Sequence, residues 1–268
     1  MTLPPLRDVI ARHGLAARRS LGQHFLLDGN LTARIAGLAG SLAGENVIEI
    51  GPGPGGLTRA LLDTDAASVT AIEIDPRAVA AQEELAAAAG GRLRVIAGDA
   101  LALDLAALVP PPRRIVANLP YNIATPLLIL WLRQAGAFRG MTLMFQQEVA
   151  ERIVAVPDTP AYGRLAVLAR WTCAVSLALR LPPAAFVPPP KVHSAVVLLA
   201  PRARQPEPAL FAAMERLTAA AFGQRRKMLR GSLRALGGEA LLARAGIAPD
   251  RRAETLSPEE FATLARLL

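Results

Sequence analysis

The stretch Asn46-Val47-Ile48-Glu49-Ile50-Gly51-Pro52-Gly53-Pro54-Gly55-Gly56 decides the fold class. A short apolar run, rich in β-branched residues, passes straight into a glycine-dense turn, and Leu57 to Leu62 then reads as a helix. The same alternation recurs downstream. Val69 to Ile74 reads as a second strand, with Pro76 at the first position of the helix that follows it. Leu93 to Ile96 is a third strand, ending at Gly98-Asp99. Arg114 to Ala117 is a fourth, followed by Asn118 and a helix from Ile123 to Trp131. Met141 to Phe145 is a fifth, with a helix over Gln147–Val154. Strands alternating with helices at this spacing predict a doubly wound, mostly parallel α/β sheet. Ala174 to Leu181 and Val192 to Leu199 bring the strand count to seven, and the last enters after so short a loop that an antiparallel direction is expected. Leu165 to Trp171 is expected to be helical. Upstream, a helix is expected from Asn30 to Leu42, preceded by a basic N-terminal arm over residues 1–20.

Proline-rich sequence over Pro201 to Pro208 reads as a linker, and every periodic segment beyond it is helical. The expected division is therefore an α/β domain over 1–200 and a small all-α domain over 201–268. The tail holds twelve basic against seven acidic residues, net +5, whereas the first 200 residues hold 18 against 15, net +3. The net charge of +8 and pI near 11.0 point to a polyanionic partner. Only two of the basic residues, Lys191 and Lys227, are lysine. Arg226, Arg230 and Arg234, at i, i+4 and i+8 with Arg225 and Lys227 beside them, read as one charged helical face. Phosphates would relieve its self-repulsion, although a solvated face has the same pattern. No apolar run reaches the ~18 residues of a membrane span, and no signal-peptide core follows the early arginines. The one cysteine, Cys173, excludes a disulfide framework and a cysteine-based zinc site, and no other metal-ligand pattern appears. A cytoplasmic, monomeric protein without a membrane partner is the expectation.

Gly51, Gly53 and Gly56 fit G-x-G-x-x-G between a strand and a helix, and Glu73 stands 22 residues after Gly51 at the end of the next strand. This pattern suits a nucleoside whose ribose hydroxyls donate to the acidic group. A dinucleotide would need backbone N–H groups for its pyrophosphate. Pro52 and Pro54 remove two of them, which favours the phosphate-free S-adenosylmethionine over a nicotinamide cofactor. Asp99 suits the adenine amine, or alternatively caps the next helix. At the next strand end, Asn118-Leu119-Pro120-Tyr121 offers a side-chain amide, a carbonyl whose direction Pro120 restricts, and an aromatic face. Two acceptors and a stacking surface suit a planar group bearing an amine; the tetrapeptide is equally good turn chemistry. His193 and Ser194, adjacent on a strand, point to opposite faces and make no catalytic pair.

Taken together, these motifs resemble the ribosomal RNA adenine dimethyltransferases, closest to the bacterial small-subunit branch. The resemblance runs from Leu21-Gly22-Gln23-His24-Phe25-Leu26 through the glycine loop, Asn118-Leu119-Pro120-Tyr121 and Tyr162-Gly163-Arg164-Leu165. It continues through Phe186-Val187-Pro188-Pro189-Pro190-Lys191-Val192 and Ser194-Ala195-Val196 to Phe222-Gly223-Gln224-Arg225-Arg226-Lys227. It implies a Rossmann-like class I methyltransferase whose cofactor site includes His24, Leu26, Gly51, Gly53, Glu73, Asp99 and Asn118. It implies that Asn118, Leu119, Pro120 and Tyr121 meet the target adenine, with Phe186 gripping the opposite face of the base; an aromatic in this context is otherwise a core residue. Dimethylation of two adjacent adenosines in a hairpin loop near the 3′ end of 16S rRNA, within a 30S particle or its precursor, is the activity it implies. The family often has asparagine where His24 stands and a basic residue where Gln147 stands. Three other readings remain at this level: the large-subunit, macrolide-resistance branch, a nicotinamide oxidoreductase, and a non-catalytic assembly factor.

Overall fold

The structure, a computed structural model, describes residues 3–16, 23–224 and 226–268. Among the described residues the strands are β1 Phe25–Leu26, β2 Asn46–Ile50, β3 Ser68–Glu73, β4 Leu93–Ala97, β5 Arg113–Asn118, β6 Gly140–Gln146, β7 Cys173–Leu181, β8 Phe186–Val187 and β9 Ser194–Pro201. Seven form one sheet in the order β4-β3-β2-β5-β6-β9-β7, and β1 pairs with β8 separately. The steps from β4 to β6 are parallel, so helices must carry the chain back along the sheet faces between them. β9 runs antiparallel to β6, with Ser194 opposite Gln146. The mostly parallel seven-stranded sheet expected from the alternation is the observed one.

Burial follows from composition. β2 and β3 are buried along almost their whole length, as expected of sheet covered on both faces. One core cluster joins Ile35 and Ala36 of helix Gly29–Gly37 and Leu57 and Leu61 of helix Gly56–Leu62 to Val47, Val69, Val116, Met144 and Val196 of the sheet. Asp28 starts the first of these helices by accepting from Asn30 N and Leu31 N. That helix stops at Gly37 rather than reaching Leu42, because the chain turns over Gly40 with a left-handed φ of +77°. β3 likewise stops at Glu73 rather than Ile74. The Glu73 carboxylate accepts from the Ile74 and Asp75 backbone N–H groups, and this local bonding competes with the sheet ladder.

The chain divides into two compact units. One comprises residues 1–130, 137–150 and 177–200, and the other 131–136, 151–176 and 201–268. The second unit begins anew at Pro201, as a single cut would have it, but it also takes in two earlier segments. Within it, helices Arg164–Thr172, Pro208–Phe222 and Pro258–Ala265 pack together. Tyr162, Phe222 and Phe261 meet ring to ring, and the buried Tyr162 hydroxyl donates to the Leu256 carbonyl at 2.8 Å. A capping box between Ser257 and Glu260 opens the last helix.

The single arginine face is corrected by the structure. Arg226 lies in a turn, Arg230 in the four-residue helix Leu229–Ser232, and Arg234 in a 3₁₀ turn. The helix starts only after Met228, which is extended at ψ 156°, and stops at Leu233, where φ −96° and ψ 11° lead into the 3₁₀ turn that Gly237 ends at φ +108°. Arg226, Lys227, Arg230 and Arg234 are all exposed. Arg225, Leu21, Gly22 and residues 17–20 of the N-terminal arm lie outside the described residues. The rest of the arm carries a helix, Leu6–Arg12, whose Val9 and the following Leu15 are buried against Ala78 and Ala81. Among the described residues no helix is long and apolar enough to cross a membrane.

Candidate active site

The carboxyl ends of β2, β3, β4 and β5 open into one cavity of about 170 Å³. Gly51 and Gly53, Glu73, Asp99 and the Asn118–Tyr121 segment all line it, together with His24 and Leu26. It is the crevice where open α/β sheets bind ligands.

The glycines are required by space. Gly53 has φ +55°, and a Cβ there would stand 2.9 Å from the Phe25 ring. At Gly56 a Cβ would lie 2.3 Å from the Leu26 carbonyl oxygen, so the first helical turn presses directly on β1. Glu73 fixes the loop from the other side. Its carboxylate accepts from Gly53 N at 3.1 Å and from Ile74 N and Asp75 N, each at 2.9 Å. Those bonds use three of its four or so lone-pair directions, which leaves room for one ribose hydroxyl in good geometry rather than two. Burial raises the Glu73 pKa, against the lowering effect of these backbone donors. Asp99 caps no helix: the next one, Leu105–Leu108, is capped by Asp104, whereas Asp99 Oδ1 accepts from Leu101 N at 2.9 Å within a turn and the residue lines the cavity. Ile74 and Leu101, apolar yet 56% and 38% exposed, stand at the same cavity.

Glu49, which heads the glycine-loop motif, was given no role by it. It is 2% exposed, lines the cavity, and its Oε2 has no hydrogen-bond partner among the described residues. Burial, with the Glu73 carboxyl nearby, raises its pKa to about 8. Its sequence signal was the acidic residue at an inward-facing position of an otherwise apolar strand. A buried carboxyl with an open acceptor is a site for a cation or a strong donor.

At the other end of the cavity, the Asn118 Nδ2 donates to the His24 carbonyl at 3.2 Å. That bond commits the amino half of the amide and leaves the carbonyl half as the free acceptor. The His24 Nδ1 lies 2.8 Å from the Pro188 carbonyl, which can only accept, so Nδ1 carries the hydrogen. The His24 ring stacks on Tyr121 with centroids 5.5 Å apart. The Tyr121 hydroxyl is 2.6 Å from the Ser194 Oγ, and burial raises its pKa.

Phe186 departs from expectation. It is 2% exposed, pairs with Leu26 across β1 and β8, and belongs to the main core cluster. It is not placed to grip a base; its apolar ring is better accommodated beneath the cavity than in it. Cys173 is fully buried, and burial raises its thiol pKa to about 11, as suits inert filler. Among the described residues no three His, Cys, Asp or Glu side chains are placed to hold a metal ion.

Glycines without room for a side chain, a proline-interrupted loop, acidic groups at successive strand ends and a buried carboxyl with one open oxygen fit S-adenosylmethionine, which carries ribose hydroxyls, an adenine amine and an ammonium. Fold and pocket thus define the class, the S-adenosylmethionine-dependent class I methyltransferases. A family model described as ribosomal RNA adenine dimethylase matches residues 14–268, and the chain belongs to that family. A Gluconobacter oxydans relative named ribosomal RNA small subunit methyltransferase A is 63% identical over 267 residues, covering 100% of this chain and 88% of the relative. The crystal structure of a dimethyladenosine transferase from Plasmodium falciparum is 26% identical with a TM-score of 0.75, covering 90% of this chain and 96% of that one. The crystal structure of the 23S rRNA methyltransferase ErmE is 30% identical with a TM-score of 0.66, covering 90% and 98%. The nicotinamide oxidoreductase reading is excluded by this membership.

Proposed function

We propose that this chain dimethylates the 6-amino groups of two adjacent adenosines in a hairpin loop near the 3′ end of 16S rRNA. It acts as a monomer, in the cytoplasm, on a 30S particle or its precursor. The reading is supported chiefly by one observation: Asn118–Tyr121 lines the same cavity as Gly51, Gly53, Glu73 and Asp99. The 63% identity to a small-subunit methyltransferase favours that branch over the large-subunit one.

When bound, S-adenosylmethionine supplies an electrophilic methyl group on a sulfonium. Glu73 would hold a ribose hydroxyl, Asp99 the adenine amine, and Ile74 and Leu101 the apolar purine. Glu49, in its ionised form, accepts the ammonium of the methionine portion. Leu26 and the glycine loop close the cavity around the cofactor, and the backbone carbonyl of His24 holds Asn118. A paired base cannot reach such a site, so the target adenine is unstacked or flipped out. Tyr121 presents its ring to the base, a contact worth about 1–3 kcal/mol. The Asn118 side-chain oxygen and the Leu119 carbonyl would accept the two amine hydrogens and so fix the direction of the nitrogen lone pair. These acceptors face the positive charge that develops on the nitrogen, which stabilises the transition state, and fixed alignment supplies much of the remainder. The product ammonium is acidic enough to lose its proton to water without a dedicated base. After the first transfer one of the two acceptors is given up to make room for the methyl group. Arg226, Lys227, Arg230 and Arg234 contact phosphates, as does Arg225.

The test is transfer of radiolabelled methyl groups to unmethylated 30S and 50S particles, followed by nucleoside analysis. Dimethyladenosine confined to 16S rRNA is expected. Label in 50S particles alone, or monomethyladenosine as the final product, overturns the proposal.

A further inference from the structure

The cavity's aromatic wall depends on a residue that does not line the cavity. Ser194 opens β9, opposite Gln146 at the carboxyl end of β6, and the Gln147 N–H donates to the His193 carbonyl at 2.9 Å just beyond. Its position is therefore set by the sheet ladder rather than by a loop. Its Oγ lies 2.6 Å from the Tyr121 hydroxyl, and Ser194 is 0% exposed. A hydroxyl so buried needs a partner, as does a half-buried tyrosine hydroxyl, and each satisfies the other.

Tyr121 itself stands three residues beyond the end of β5 in a loop, where a ring has torsional freedom. β5 is bonded to β6 and β6 to β9. The hydroxyl pair thus ties the loop back to the third strand of that series, across β6. The other restraint on the ring is the His24 stack on its face. A ring held by its tip and one face keeps a fixed plane.

We infer that Ser194 is a positioning residue for methyl transfer: through the Tyr121 hydroxyl it sets the plane of the ring against which the target adenine stacks. The inference rests on the proposed placement of the adenine beside Tyr121. Ser194 touches neither substrate nor cofactor, so its loss acts on the alignment of the amine and leaves cofactor binding intact. Misalignment by about 1 Å is enough to cost on the order of 100-fold in rate.

The experiment is a cycle of Ser194→Ala, Tyr121→Phe and the double variant, with Ser194→Thr as the conservative control. Full-length protein and unmethylated 30S particles are used. Turnover, KM for 30S particles, S-adenosylmethionine affinity by calorimetry and thermal melting are read for each. A drop in kcat of about 10- to 100-fold is expected for Ser194→Ala, with cofactor affinity within about twofold of the parent and recovery in Ser194→Thr. The double variant is expected to be no slower than the slower single one, because both remove the same bond. Multiplying losses, unchanged kcat in Ser194→Ala, or lost cofactor affinity overturns the inference. If Ser194→Ala does not fold, Tyr121→Phe decides: parent-like kcat means the bond sets nothing. Should the parent protein itself transfer no methyl to 30S particles, the functional reading fails and this inference with it; parent activity matched by Ser194→Ala removes the inference alone.

Discussion

Glu49 is the residue whose ionisation most directly ties structure to binding. Its folded pKa of about 8 exceeds the 4.5 of a free glutamate, so in the empty protein at neutral pH it is largely neutral. A cationic ammonium requires the ionised form. S-adenosylmethionine affinity is therefore expected to rise as pH increases from about 6 toward 8, above which the ammonium itself loses its proton; calorimetric titration from pH 6 to 8 checks it. Glu49→Gln should abolish the pH dependence and weaken binding by roughly 10- to 100-fold, the ~1.5–3 kcal/mol of a charged hydrogen bond. The same group makes stability fall with pH. Between 4.5 and about 8 the unfolded chain has released this proton while the native state still holds it, so the unfolded state binds fewer protons and unfolding becomes easier as pH rises. Glu73, also raised, acts in the same direction. The melting temperature of the cofactor-free protein should decline across that window and decline less in Glu49→Gln. The motif contained Glu49 without giving it a role, because an acid inside an apolar strand acquires meaning only when its burial and its open oxygen are seen. Asn118 and Gly53 were legible, since strand ends and glycine spacing are local patterns.

At the scale of elements, the press of helix Gly56–Leu62 on β1 gives a direct test. Gly56→Ala would drive a methyl group into the Leu26 carbonyl, a backbone atom that cannot swing aside. A loss of about 1–3 kcal/mol in stability is expected from denaturant titration, with weakened cofactor binding, since Leu26 lines the cavity. Phe186→Ala should cost about 3–5 kcal/mol, the range for emptying an aromatic core site; a variant of parental stability but low turnover would restore it to the base-binding wall. The alternation of strand and helix was readable because period and turn residues are local. Whether an aromatic near the active end faces the cavity or the core depends on β1 pairing with β8, two strands far apart in sequence. Helical spacing misled at Arg226–Arg234 for the converse reason: charge periodicity persisted while the backbone left the helix at Met228 and again at Leu233.

For the molecule as a whole, charge governs encounter with RNA. Replacing Arg226, Arg230 and Arg234 together by alanine should weaken 30S binding. The slope of log affinity against log salt should become shallower by about 0.7–0.9 for each phosphate the variant no longer neutralises. S-adenosylmethionine affinity should be unchanged. Binding measured at several salt concentrations distinguishes this from misfolding, which would alter both ligands. The net +5 of the tail was plain in composition, whereas its division from the rest was not. Residues 131–136 and 151–176 group with the tail through packing that no linker announces.

The reversed strand β9 is the last in the chain to join the sheet. Ser194 meets Gln146 at the rim formed by the carboxyl ends of the parallel strands, and β9 lies between β6 and β7. A chain still being synthesised, with everything through β7 already emerged, would have an open seam in its sheet and a tyrosine without its tether. The sheet would close, and the tyrosine be tethered, in one late zipping event, so a copy lacking β9 and the tail behind it would be a poor methyl donor to RNA.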